Sequence, residues 1–218
     1  MGVVLWDYWR STACYRVRIA LRLAGIAYRT VPVDLLTGEQ ARPDHTARNP
    51  QGFVPVLEID GLRLTESLAI IAYLDETRGL GLLPGDVVQR ARTRQIAHVI
   101  TMDIHPICNP SVVAQLMAVA DRPEQARKDW MQHFMRRGLM ACEALLSDTG
   151  GPFGMGPSPT LADICIVPQL YNAARWQVSL DDMPKLQRIG TACATHPAFS
   201  AAAPEAATSL PQARPSAF

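Results

Sequence analysis

The first 80 residues of the chain alternate strand and helix patterns, and the remainder has helix patterns only. Short β-prone runs lie at residues 3–8, 28–33, 54–59 and 62–65, and helical patterns, the second of them short and polar, lie at 12–25, 37–46 and 67–77. Asp60-Gly61 separates the last two β-prone runs, and this dipeptide between apolar runs indicates a hairpin. Strand–helix–strand units join parallel strands, and a hairpin adds an antiparallel edge. The order therefore predicts a small four-stranded mixed sheet with helices.

A glycine-rich segment separates this part of the chain from the helical part. Helical patterns follow at residues 87–119, 123–147, 160–176 and 183–195, the first interrupted near Pro106 and Pro110. The end of the chain is rich in proline and has little apolar periodicity, which is typical of a meandering or disordered tail. We therefore predict an α/β domain at residues 1–80, a linker at 81–86, an all-α domain at 87–200 and a tail at 201–218.

Composition excludes several classes of protein. The 218 residues are 48% hydrophobic and 19% charged, which is an ordinary globular balance rather than that of a disordered chain. The net charge of +1 gives no overall field that would attract nucleic acid or an anionic membrane. The five cysteines have neither Cys-x-x-Cys nor metal-type spacing, so we expect free thiols and no metal site. No apolar run is long enough to span a bilayer and the N-terminus lacks the layout of a signal peptide, so we expect a cytoplasmic protein.

The segment Trp9-Arg10-Ser11-Thr12-Ala13-Cys14-Tyr15-Arg16 lies between the first strand and the first helix. Free backbone N–H groups and the positive end of the dipole stabilise an anion at a helix N-terminus, and a thiolate is such an anion. Ser11 or Thr12 could assist that anion, or could simply cap the helix. The residues of this segment leave both interpretations open.

A second candidate segment is Asn49-Pro50-Gln51-Gly52-Phe53-Val54-Pro55. A proline that leads into a strand cannot donate to the ladder, so it marks an edge or a bend. A cis Val54-Pro55 bond would turn the Val54 backbone N–H and C=O outward, toward a peptide-like ligand. Only about 5–6% of such bonds are cis in folded proteins, so this segment alone favours trans.

A third candidate lies where the fourth strand meets the third helix, at Thr65-Glu66-Ser67-Leu68. Ser67 could hold a ligand carboxylate against the helix N-terminus, and Glu66 could bind a ligand ammonium group. A plain N-cap would use the same residues.

Taken together, the order and spacing of these three segments resemble the glutathione-binding half of cytosolic glutathione transferases. The run from Trp9 to Leu21 is similar to the zeta class, which includes maleylacetoacetate and maleylpyruvate isomerases. Further matches to that class are Asn49-Pro50, Val54-Pro55 and residues 67–71, 82–84, 103–106 and 172–176. The resemblance covers residues 3–200 and implies a thioredoxin-like N-terminal domain followed by an all-α domain. Thr160-Leu161-Ala162-Asp163 matches the box that opens a helix in this superfamily, and we assign it a structural role.

Two positions depart from the zeta pattern. The class commonly reads Ser-Ser-Cys where this chain reads Ser11-Thr12-Ala13, so the usual cysteine is an alanine and Cys14 follows one place later. We expect Cys14 to be packed and unreactive, the alternative being a thiol of low pKa at the helix N-terminus. Glu66 stands where many zeta enzymes have glutamine, a change that keeps an acceptor for an ammonium group.

The resemblance implies glutathione as cofactor, a homodimer, and cis–trans isomerisation of a maleyl keto acid, either maleylacetoacetate or maleylpyruvate. Ser11 and Thr12 would serve the thiolate, and Arg10 and Arg175 would hold the two substrate carboxylates, because a guanidinium matches a carboxylate bidentately. The residues expected to bind glutathione are Ser11, Gln51, Val54, Pro55, Glu66, Ser67, His105 and Asn109, of which His105 could equally be structural.

Two other functions share part of this pattern. A general transferase or dehalogenase would use the same activated thiol without needing paired arginines. A non-catalytic binding module could lose the hydroxyls of Ser11 and Ser67, and both are present. Arg175 ends a helix that is apolar in its earlier part, so its partner could be either a protein carboxylate or a substrate carboxylate.

Overall fold

The computed structural model describes residues 2–147 and 150–208, which form two compact units. The first unit contains residues 2–80 and 196–208, and the second contains residues 81–195. The four-stranded mixed sheet and the all-helical second part agree with the predicted fold class.

The first unit is a mixed sheet with helices. Its elements are β1 (Val3–Asp7), α1 (Thr12–Leu23), β2 (Tyr28–Pro32), a 3-10 turn (Glu39–Ala41), α2 (Pro43–Thr46), β3 (Val56–Ile59), β4 (Leu62–Thr65), α3 (Ser67–Arg78), α9 (Pro197–Ser200) and α10 (Pro204–Thr208). The strand order is β2-β1-β3-β4, with β1 parallel to β2 and the other neighbours antiparallel. Val3 of β1 pairs with Tyr28, and Leu5 pairs with Leu57. Because β1 and β3 are antiparallel neighbours, the segment that follows β1 and the segment that precedes β3 lie at the same end of the sheet.

The structural unit to which residues 196–208 belong differs from the prediction. The prediction divided these residues between the all-α domain and a tail. They belong to the first unit, where Ala202 and Ala207 are buried. The Ala202 carbonyl accepts a hydrogen bond of 2.9 Å from Arg18 Nε, and α9 packs against α1. The expectation of a tail without regular structure was thus wrong for residues 201–208, because long-range contacts order them, and residues 209–218 lie outside the described part.

The second unit is helical throughout. Its elements are α4 (Val87–His98), a π-helical turn (Val99–Ile104), α5 (Pro110–Val119), α6 (Pro123–Leu145), α7 (Leu161–Arg175) and α8 (Pro184–Thr195). The helix predicted over 87–119 is interrupted at residues 105–109, beside Pro106 and Pro110 as predicted, and the π turn lies directly before the break. A Cβ on Gly138 of α6 would overlap the side chain of Ile104, so glycine permits the close approach of α6 to this turn.

The N-terminus of α7 is fixed by a buried carboxylate. Asp163 is fully buried and accepts hydrogen bonds from the Thr160 N–H and hydroxyl, each at 2.8 Å, and from the Gly154 N–H at 2.7 Å. Burial raises the pKa of the Asp163 carboxyl, against the opposing effect of these hydrogen bonds. The predicted structural box at Thr160 is therefore present. None of the helices formed by the described residues has the length and apolar character needed to cross a bilayer.

Candidate active site

Ser11 lies at the N-cap of α1, immediately after the loop that leaves β1. Its hydroxyl oxygen accepts a hydrogen bond of 3.2 Å from the Cys14 N–H, so the capping interpretation is correct. Thr12 is the first helical residue and is buried. A serine hydroxyl has a proton to donate in addition to its acceptor sites. Capping therefore leaves Ser11 able to donate to an anion at this helix N-terminus.

Cys14 is a packing residue. Its side chain is fully buried in a cluster with Val33 and Val54. Burial raises the pKa of the Cys14 thiol, with the Asp7 charge acting in the same direction. The helix N-terminus does not overcome the loss of solvation, in agreement with the expected unreactive thiol. The side chain also ties α1 to the Val54 segment.

The segment before β3 is shaped by polar side chains that hold its backbone. The Asn49 Nδ2 donates to the Phe53 carbonyl at 3.0 Å, and the Asn49 Oδ1 accepts from the Gln51 N–H at 3.1 Å. The buried His45 bonds the same Phe53 carbonyl through Nε2 at 2.9 Å, which requires the Nε2–H form because a carbonyl only accepts. His45 was assigned no role from the sequence, and its partner lies eight residues away in a loop.

The Val54-Pro55 bond is cis. The sequence segment by itself favoured trans, and that expectation was wrong. Both residues are buried, and Pro55 directly precedes β3.

Glu66 has a backbone conformation that non-glycine residues rarely adopt, with φ 64° and ψ 112°. Its side chain makes no hydrogen bond that caps α3, so the plain N-cap interpretation fails for this residue. Instead the Glu66 Oε1 accepts a bond of 3.0 Å from Gln51 Nε2, and both side chains are exposed. Unfavourable backbone conformations persist where surrounding structure enforces them, commonly at ligand sites. The structure thus joins two of the predicted binding residues beside the start of α3.

Ser67 begins α3 and is 5% exposed. Its hydroxyl oxygen accepts a hydrogen bond of 3.1 Å from Nε of Arg16, which is itself buried. Arg16 lies within the zeta-like run of the sequence, but the run by itself indicates no role for it. No local signal could have paired the two residues, because 51 positions separate them.

Arg10 borders a cavity of about 340 Å³ in the first unit. Its Nη2 donates to the Tyr8 hydroxyl at 3.2 Å, and its guanidinium carbon lies 4.7 Å from the centre of the Trp9 ring. The Nε of Arg10 is buried and has no protein acceptor. Leu36 and Glu39 also line this cavity. The guanidinium is thus held by aromatic side chains at the wall of an open space.

The candidates in the second unit have more ordinary surroundings. Asn109 caps α5, its Oδ1 accepting from the Ser111 N–H at 3.0 Å and the Ser111 hydroxyl at 2.8 Å. His105 follows the π turn and is half-buried. Arg175 ends α7 and is exposed, and its Nη1 donates to Asn172 Oδ1 at 3.2 Å.

Comparison with known proteins identifies the family. Residues 1–76 match the model of the glutathione S-transferase N-terminal domain. The chain is 56% identical over 206 residues to the maleylacetoacetate isomerase of Rhizobium meliloti, covering 94% of this chain and 97% of that relative. The chain belongs to the maleylacetoacetate isomerase family of glutathione transferases.

Solved structures place the family in the zeta class. The holo structure of a maleylpyruvate isomerase, a bacterial glutathione S-transferase of that class, is 38% identical with a TM-score of 0.89, covering 93% of this chain and 97% of its own. A maleylacetoacetate isomerase from Anaeromyxobacter dehalogenans is 40% identical with a TM-score of 0.84, covering 96% and 98%, and contains dicarboxyethyl glutathione and citrate in its active site. The resemblance inferred from the sequence is confirmed.

Ala13 stands at the position where zeta-class enzymes commonly have a cysteine. This zeta-class chain has no cysteine at that position, and all five of its cysteines are buried and free. A reactive thiolate at the N-terminus of α1 must therefore come from a bound ligand.

Proposed function

We propose that the protein catalyses the glutathione-dependent cis–trans isomerisation of a maleyl keto acid, maleylacetoacetate to fumarylacetoacetate. The observation that carries the proposal is the junction of β4 and α3. There, a strained Glu66 backbone presents a carboxylate beside the Gln51 amide, next to the buried Ser67 hydroxyl at a helix N-terminus. The names and ligands of the relatives support the same activity.

The residues fit glutathione in charge and polarity. Its γ-glutamyl end carries an ammonium group and a carboxylate on one carbon, and the site offers the Glu66 carboxylate for the first. The second would accept from the Ser67 hydroxyl and the free backbone N–H groups that open α3. Gln51 would hold the Glu66 side chain in place, and Val54 and Pro55 would bind the peptide backbone of the cofactor. We also retain His105 and Asn109 as proposed contacts, Asn109 having only its amide nitrogen left over from capping α5.

Bound glutathione supplies a thiolate whose reversible addition to the conjugated double bond permits rotation about it. The protein must keep that thiol ionised near neutral pH. The dipole and free N–H groups at the start of α1 would favour the anion, and the Ser11 hydroxyl would donate a hydrogen bond to it. We propose that Thr12, buried in the first turn, supports the same anion.

The substrate carries carboxylates, and we propose that Arg10 and Arg175 each bind one. Arg10 has its guanidinium at a cavity wall with a buried Nε that lacks a protein acceptor. Arg175 is exposed at the end of α7. The dicarboxyethyl glutathione and citrate in the Anaeromyxobacter relative indicate that an active site of this family accepts carboxylate-rich ligands.

We further propose a cytoplasmic homodimer that binds neither nucleic acid nor membrane. The five free cysteines suit a reducing compartment. The family resemblance supports the dimer.

The proposal is tested by incubating the protein with maleylacetoacetate and with maleylpyruvate, each with and without glutathione. We expect loss of the enedione absorbance and formation of the fumaryl product only when glutathione is present. Conjugation of a neutral electrophile without isomerisation of either acid would indicate a general transferase instead. Preference between the two acids identifies the physiological substrate.

The arginines separate an isomerase from a general transferase. Arg175→Met keeps the apolar stem and removes the guanidinium, so we expect kcat/KM for the maleyl keto acid to fall about tenfold or more, the value of one charge-assisted hydrogen bond. Arg10→Met should have a similar effect. Glutathione affinity and activity toward a neutral electrophile, measured in parallel, should change little. Equal losses on both substrates would show that the arginines are structural.

A further inference from the structure

The first helix buries two arginines, Arg16 and Arg18, within one turn. Arg18 bonds both carboxylate oxygens of Asp7 and the Trp9 and Ala202 carbonyls, so it holds the polypeptide together. Arg16 is 2% exposed and reaches instead toward α3, where its Nε bonds the Ser67 hydroxyl. Arginine side chains are rarely buried to this degree without a specific partner. The partner of Arg16 is Ser67, a residue of the proposed cofactor site, so the contact connects Arg16 to that site.

The chemistry of the pair fixes which group donates. A guanidinium stays protonated and has no acceptor, so the Arg16 Nε–H must donate and the Ser67 oxygen must accept. The serine keeps one proton, and that proton cannot point at Arg16. A hydroxyl that accepts from a charged donor is polarised and becomes a better donor itself. Arg16 thus prepares Ser67 to donate to an anion at the start of α3.

We propose that Arg16 is a positioning residue that fixes the Ser67 hydroxyl as a donor to the α-carboxylate of the γ-glutamyl group. Arg16 acts through Ser67 and does not itself touch the ligand. This inference rests on the proposed function and adds a residue that sets cofactor affinity. The contribution of Arg16 to cofactor affinity should depend on the α-carboxylate of the γ-glutamyl group. A residue with a purely structural role would show no such dependence.

The test compares glutathione with γ-aminobutyryl-cysteinyl-glycine, which retains the ammonium group and lacks the α-carboxylate. Binding of each is measured by calorimetry to the unmodified protein and to Arg16→Met, Arg16→Gln and Arg22→Met. Arg22 is the matched control, because it lies on the same helix and its guanidinium rests on Tyr28 instead of Ser67. We expect Arg16→Met to weaken glutathione binding about tenfold, since a charged hydrogen bond has that value, and to leave binding of the analogue unchanged. Arg16→Gln, whose amide can donate to Ser67, should lose less, and Arg22→Met should bind both ligands normally.

A second comparison uses Ser67→Ala. In that background Arg16→Met should cause no further loss of glutathione affinity. An equal loss for both ligands, or a loss that persists without the Ser67 hydroxyl, would overturn the inference. If circular dichroism shows that Arg16→Met does not fold, the same two comparisons are made with Arg16→Gln. We then expect a smaller loss of glutathione affinity and no loss for the analogue. A loss shared by both ligands, or no loss for either, would overturn the inference. Absence of glutathione binding by the unmodified protein would instead contradict the proposed function.

Discussion

Replacement of Arg18 by methionine is expected to lower the free energy of unfolding by about 3–5 kcal/mol. Arg18 is fully buried, Asp7 is 3% exposed, and their atoms approach to 2.7 Å and 2.9 Å. Removal of the guanidinium leaves the Asp7 carboxylate buried without its cation and deprives the Trp9 and Ala202 carbonyls of their donor. Urea-induced unfolding monitored by circular dichroism measures the change.

The matched control for this prediction is Arg136→Met. Arg136 and Asp182 also approach to 2.7 Å, but their side chains are 41% and 51% exposed. Because water solvates both charges when such a pair is broken, we expect little change in stability. A double variant, Arg18→Met with Asp7→Leu, removes both buried charges and should recover part of the loss. Similar small losses for Arg18→Met and Arg136→Met would contradict the role assigned to burial.

The Asp163→Ala variant is expected to lose about 3 kcal/mol or more of unfolding free energy. The carboxylate satisfies three buried donors, from Gly154 and Thr160, and each donor left without an acceptor costs about 1–3 kcal/mol. The loss should appear as a lower midpoint in urea, together with loosening of the segment that precedes α7. Hydrogen exchange at the Gly154 and Thr160 amides would detect that loosening directly.

Asp86→Ala is the appropriate comparison, since Asp86 forms the corresponding cap of α4 but is exposed. Its Oδ1 accepts from the Gln89 N–H at 2.8 Å. Water can replace the lost acceptor there, so we expect a loss of about 1 kcal/mol, typical of an N-cap. If the two variants prove equally stable, the buried network at Asp163 contributes no more than an ordinary cap.

Much of the candidate site could be located from the sequence, because its parts lie at junctions between elements that local patterns mark. Ser11 and Ser67 were found at the starts of helices and Val54-Pro55 at the start of a strand, and the structure places them there. What each side chain does was less predictable. Ser11 caps its helix, Glu66 does not, and Asn109 caps α5.

The sequence by itself determined the order of strands and helices, the hairpin at Asp60-Gly61 and the family, since periodicity, turn residues and short motifs are local properties of the chain. Tertiary structure alone decided the partners of Arg16 and Arg18, the cis form of the Val54-Pro55 bond, and the return of residues 196–208 to the first unit. The physical reason is that a buried charge or carbonyl is satisfied by whatever group the fold brings to it. Arg18 and Ala202 are 184 positions apart, a separation at which no pattern in the chain specifies a hydrogen bond.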